Sequence, residues 1–104
     1  MIQTDKGHFK LTFENGYTVS VINGYGSYSE NHFNRKLLSV PDFCSIDSED
    51  CEIAIMYNGI FVTNSFVECD DSVKGYVTPE ELADIIYRVK NKIIGSDSDD
   101  WYSD

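Results

Sequence analysis

The chain has 104 residues, 41% of them hydrophobic and 13% aromatic, with 18 Asp and Glu against 8 Lys and Arg, a formal charge of -10 at pH 7. That content supports one core and is too aromatic for a disordered acidic chain, while a field of this sign repels nucleic acid and favours basic protein surfaces. No apolar run approaches the ~20 residues that span a bilayer and residues 1–15 show no basic-then-apolar leader pattern, so a cytoplasmic protein without membrane contact is expected.

The first element is a hairpin. Phe9, Leu11 and Phe13 alternate with Lys10 and Thr12; after Glu14-Asn15-Gly16, the residues Tyr17, Val19 and Val21 alternate with Thr18 and Ser20. A three-residue loop with Gly16 in the left-handed conformation closes such a pair. It sets Phe13 opposite Tyr17, Leu11 opposite Val19 and Phe9 opposite Val21, whereas a two-residue loop would pair Phe13 with Thr18 and spoil the alternation. Lys10, Thr12, Thr18 and Ser20 then form a wet face. A loop follows over residues 23–31, Asn-Gly-Tyr-Gly-Ser-Tyr-Ser-Glu-Asn. It lacks the lysine and the strand-to-helix setting of a phosphate-binding loop. Tyr25 and Tyr28 are open to two readings: rings packed on the sheet in an ordinary turn, or rigid aromatic anchors among adaptable hydrogen-bonding residues, as in paratopes.

Residues 29–50 read as mostly irregular, with a short helical turn over 33–38, and run into an acidic stretch of Asp42, Asp47, Glu49, Asp50 and Glu52. The second hairpin joins 53–57 to 60–66 through Asn58-Gly59, the strongest short hairpin signal. Its two-residue loop pairs Tyr57 with Ile60 and Ile55 with Val62. Both faces are fairly apolar, which suits a central pair of strands. A second acidic group, Glu68, Asp70 and Asp71, comes next. Acidic runs of this kind usually form a solvated rim; the functional alternative is one contiguous surface facing a basic partner.

Thr78-Pro79-Glu80-Glu81 reads as an N-cap, a proline at the first helical position and a Glu that returns a bond to the cap. Leu82, Ile85, Ile86, Val89 and Ile93 recur at helical spacing, predicting a helix over 79–94 that stops at Gly95. The fold class is therefore α+β: an antiparallel sheet from two β-hairpins packed against one C-terminal helix, a single domain over 1–95. Residues 96–104 are expected to form an acidic flexible tail in which Trp101 and Tyr102 stand out, either folding back on the helix or serving as a docking segment.

No residue cluster names a reaction. Cys44, Cys51 and Cys69 are odd in number, and their spacing is not the close pairing of structural zinc sites. Free thiols with no metal and no cofactor are expected. A thiol enzyme would need a base and an orienting group, and His8 and His32 stand in no such pattern. The Asp97-x-Asp99-Asp100 run lacks the glycine and terminal Glu of a calcium loop.

Taken together, the hairpins over 9–21 and 53–66, the tyrosine loop over 24–28 and the acidic clusters give a chain that resembles the small acidic inhibitor proteins of phages and mobile elements, anti-CRISPR proteins among them. The resemblance implies a non-catalytic inhibitor whose carboxylates occupy the Arg- and Lys-lined channels of a nucleic-acid-handling complex, by acidic mimicry or steric occlusion. Its partner would be a basic protein or ribonucleoprotein, a bacterial CRISPR effector above all, with no direct nucleic-acid contact. Expected contacts are Asp47, Glu49, Asp50, Glu68, Asp70 and Asp71, with Tyr25 and Tyr28 as aromatic anchors. Two alternatives compete: an immunity protein neutralising a basic bacterial toxin, and a small metal- or thiol-dependent enzyme.

Overall fold

A computed structural model describes residues 1–39, 45–69 and 72–94. Cys44, Asp42, Asp70, Asp71, Gly95 and the tail over 96–104 lie outside the described residues, and so do the expectations attached to them. The elements are β1 (Ile2–Asp5), β2 (His8–Thr12), β3 (Tyr17–Ile22), β4 (Ser45–Ser48), β5 (Cys51–Tyr57), β6 (Ile60–Phe61), β7 (Lys74–Val77) and helix α1 (Pro79–Lys90). The strands form one antiparallel sheet in the order β4-β1-β2-β3-β5-β6, with β7 also paired to β5.

The first hairpin has the register its alternation predicts. Phe9 faces Val21 and Leu11 faces Val19, and Phe13 N donates to Tyr17 O at 2.9 Å across a loop in which Gly16 has φ +90°. One face of β3 and β5, with Val19, Val21, Ile53 and Ile55, meets Leu82, Ile85 and Val89 of α1 around the buried ring of Phe66. Each such aliphatic side chain contributes about 1.5–3 kcal/mol when fully buried. The opposite face is drier than expected. Ser20 is buried and Thr18 half-buried, because Ser20 pairs with Ala54 and both small side chains lie between the longer Ile22 and Met56 of the same face.

In the second hairpin Asn58 and Gly59 both take positive φ, and Tyr57 pairs with Ile60. The ladder stops at Phe61 rather than running to residue 66. Thr63 is the cause: its Oγ1 accepts the Ile55 N–H at 2.9 Å and donates to Ser72 O at 2.7 Å. A side-chain hydroxyl thus replaces the backbone partner, and a 3-10 turn over Thr63–Ser65 follows. Of this pair β5 is interior to the sheet and β6 is a two-residue edge.

The stretch 29–50 is less irregular than expected. It holds a 3-10 turn at Arg35–Ser39, near the predicted one, and strand β4, which pairs with the equally unexpected β1 from Ile2 opposite Ser48 to Asp5 opposite Ser45. Helix α1 opens with the predicted capping box, Thr78 Oγ1 accepting from Glu81 N and Glu81 Oε1 from Thr78 N, both at 3.2 Å. It closes sooner than predicted. Asn91 is the C-cap, Lys92 takes φ +54°, Lys92 N bonds Val89 O at 3.1 Å and Ile93 N bonds Arg88 O at 2.8 Å. That is a Schellman termination with a lysine in the left-handed position. Among the described residues no helix is long and apolar enough to cross a membrane.

Candidate partner-binding face

The tyrosine loop is built inside out. Asn23, Ser27, Ser29 and Asn31 are buried, while Tyr25 and Tyr28 are 39% and 49% exposed. Buried polar groups are tolerated only when bonded, and these are. Asn23 Oδ1 accepts from Thr4 Oγ1 at 2.6 Å, and its Nδ2 lies 3.0 Å from Ile46 O and 2.9 Å from Ser48 Oγ. Asn31 Nδ2 donates to Asn23 O at 2.9 Å and to Asp47 O at 3.0 Å, and Ser27 and Ser29 share a hydroxyl contact at 2.7 Å. The polar side chains fill the interior of the loop, so the rings are turned out. Of the two readings of Tyr25 and Tyr28, full packing on the sheet is the one this arrangement corrects.

The β4–β5 turn is stitched to that loop. Asp50 Oδ1 accepts from Glu30 N at 2.7 Å, Glu52 Oε1 accepts from Tyr28 N at 3.0 Å, and Glu30 Oε1 accepts from Glu49 N at 3.1 Å. Charge-assisted bonds of this kind fix both partners. The pairing of Cys51 with Val77 brings in the start of α1, with Glu80 and Glu81 in its first turn. The local field is visible at the Cys51 thiol, which burial, reinforced by the charges of Asp50, Glu52 and Glu81, pushes up to about 12.

Of the expected contact residues, Asp47 and Glu49 stand exposed, whereas Asp50 is half-buried and spends one oxygen on the loop backbone. Tyr28 stacks on His32 with ring centroids 5.4 Å apart and planes 8° from parallel, and Phe33 meets His32 edge-on at 4.4 Å. Glu68 is exposed and lines, with Tyr28, Lys74 and Tyr76, an open groove of about 710 Å³. Tyr25 stands on the two-glycine turn, where Ser27 N bonds Gly24 O at 3.2 Å and Gly26 N bonds His32 O at 3.0 Å. Asp70 and Asp71 lie outside the described residues.

Tyr76 is the residue the sequence reading missed. It is 57% exposed, has φ +56°, and its N–H donates to Tyr28 O at 2.8 Å. A bulky side chain in the left-handed region is an outlier. Its neighbour Gly75 has no room for a side chain, since a Cβ there would lie 2.6 Å from the Cβ of Tyr28. A glycine inside a strand marks close backbone approach, and Gly75-Tyr76 in Lys74–Val77 was that signal.

Among the described residues, Cys51, Cys69 and His32 are each buried or bonded within the fold. Cys51 is fully buried, and Cys69 Sγ donates to Asn64 Oδ1 at 2.6 Å. His32 Nδ1 lies 3.0 Å from Ser27 O, a pure acceptor, so Nδ1 carries the proton. Among the described residues no group of three His, Cys, Asp or Glu side chains could hold a metal ion. What the arrangement offers is a surface of carboxylates and outward aromatic rings on a hydrogen-bonded backbone frame. Comparison with protein-family models, curated proteins and solved structures finds no match.

Proposed function

We propose that this protein is a non-catalytic inhibitor that binds a basic, nucleic-acid-handling protein complex through its acidic and aromatic face, with a bacterial CRISPR effector as the candidate partner. The observation that carries the reading is the stitching of the β4–β5 turn to the tyrosine loop, which makes one rigid unit of Asp47, Glu49, Asp50, Tyr28 and Glu30. These bonds order the carboxylates of Glu30, Asp50 and Glu52 and the backbone that carries Asp47 and Glu49, so the charge meets Arg and Lys on a frame already in place, and preorganisation is what converts weak ion pairs into affinity. Exposed pairs contribute only about 0.2–1 kcal/mol each, so the aromatic rings supply the anchors.

The test is competition. A reconstituted CRISPR effector is titrated with the protein, and target-DNA binding is followed by a mobility shift. Stoichiometric loss of DNA binding supports the proposal. The double variant Asp47→Asn, Glu49→Gln keeps the loop bonds, because Asp47 and Glu49 lend them only backbone atoms, and it should inhibit more weakly. Undisturbed DNA binding across CRISPR effectors and other basic nucleic-acid-binding complexes would sink the reading.

A further inference from the structure

We propose that the groove between Tyr28 and Tyr76 receives an arginine side chain of the partner, an assignment that rests on the acidic-face reading above. The groove of about 710 Å³ lies within the range of ligand-binding clefts and is roomy enough for one long side chain with its flanking backbone. Two tyrosines line it, and each stands on backbone held by hydrogen bonds. Tyr28 is held by the stack on His32 and by backbone bonds at both its N–H and its C=O. The backbone of Tyr76 is held by its N–H bond to Tyr28 O and by Gly75, which lets the two segments touch.

Its chemistry selects the occupant. Glu68 lines the groove and offers a carboxylate, and the surrounding chain carries a charge of -10, so an anionic occupant is repelled. A purely apolar occupant would strand that carboxylate without a partner. A cation satisfies both the rings and the acid, through cation–π attraction and a charge-assisted bond. Between the two cationic side chains, guanidinium is planar, weakly hydrated and stacks on aromatic faces, whereas ammonium is a compact, strongly hydrated point charge. Lys74 also lines the groove and opposes a cation. Its flexible stem can yield, and Lys74→Gln should tighten binding.

Tyr76 makes the proposal testable without damaging the fold. Asn tolerates φ near +56° better than Tyr does, so Tyr76→Asn removes the ring while relieving backbone strain. The probes are nona-arginine and nona-lysine peptides, titrated calorimetrically into the full chain at about 150 mM NaCl, with backbone amide shifts mapped by NMR. Nona-arginine should bind about fivefold more tightly than nona-lysine and shift Tyr28, Gly75 and Tyr76. Tyr76→Asn and Glu68→Gln should each abolish the preference, with the Tm of Tyr76→Asn unchanged or raised. If the two peptides bind the parent equally, or Tyr76→Asn keeps the preference while Asp47→Asn with Glu49→Gln weakens both, the groove assignment is overturned and the acidic face stands. If neither peptide binds even at about 50 mM NaCl, both readings fall together.

Discussion

Asn23 explains at the scale of one side chain why this loop presents its rings. A fully buried amide that bonds Thr4, Ile46 and Ser48 takes the interior position an apolar residue would otherwise hold. Nothing in Asn-Gly-Tyr-Gly distinguishes that from a surface turn, because burial of an Asn is decided by partners far along the chain. Cys51 shows the reverse case, an apolar-like site made sensitive by its charged neighbours. Its thiol titrates near 9.0 when unfolded and is pushed up to about 12 in the fold, first by burial and then by Asp50, Glu52 and Glu81. The folded state therefore holds a proton that the unfolded chain releases between those values, and unfolding becomes easier as pH rises through that window. Urea midpoints should fall from pH 9 toward 12, and Cys51→Ala should flatten that slope while lowering stability at neutral pH. In native protein at pH 8, iodoacetamide should leave Cys51 unmodified by mass spectrometry, since thiolate is the reactive form. Rapid labelling at that site would contradict the burial.

At the scale of elements, both hairpins and the start of α1 were legible because each rests on local chemistry: alternation, Asn58-Gly59 and the Thr78–Glu81 box. Strands β1 and β4 were not. Ile-Gln-Thr-Asp and Ser-Ile-Asp-Ser each carry a single large apolar residue, and the pair exists because residues some forty positions apart meet. The end of α1 was misjudged for a related reason. Its last carbonyls are met from the first hairpin, where Asn15 Nδ2 donates to Val89 O at 2.9 Å and to Lys90 O at 3.1 Å. Asn15→Asp replaces that donor with an anion beside the negative end of the helix dipole, and should destabilise the protein by about 1–3 kcal/mol in urea unfolding. An unchanged midpoint would mean the contact contributes nothing in solution. Lys92→Gly should act in the other direction. The lysine takes φ +54°, which costs about 1–2 kcal/mol for a residue with a Cβ, part of it offset by the greater freedom glycine gives the unfolded chain. A net gain of about 0.5–1 kcal/mol is expected, and a loss would show that the lysine side chain itself makes a stabilising contact.

For the whole molecule, the acidic stretch over 47–52 was visible in the sequence, but its stitching to the tyrosine loop was not. It depends on carboxylates accepting backbone N–H groups across 19 to 24 residues, and no periodicity encodes such bonds. The charge of -10 then has two consequences that respond to salt with opposite signs. Within the fold, like charges repel and lower stability. Raising NaCl from about 10 mM to about 500 mM shortens the screening length from roughly 30 Å to a few ångströms, so Tm should rise. Across an interface with a basic partner the same screening removes attraction, so affinity should fall, mainly through slower association. The two measurements on one sample, thermal unfolding and binding to the partner or to nona-arginine, should therefore move apart as salt increases. Weaker binding at high salt could then not be blamed on unfolding. If Tm and affinity instead rise together, apolar burial by the exposed rings dominates the contact, and the carboxylates serve only to keep the chain in solution.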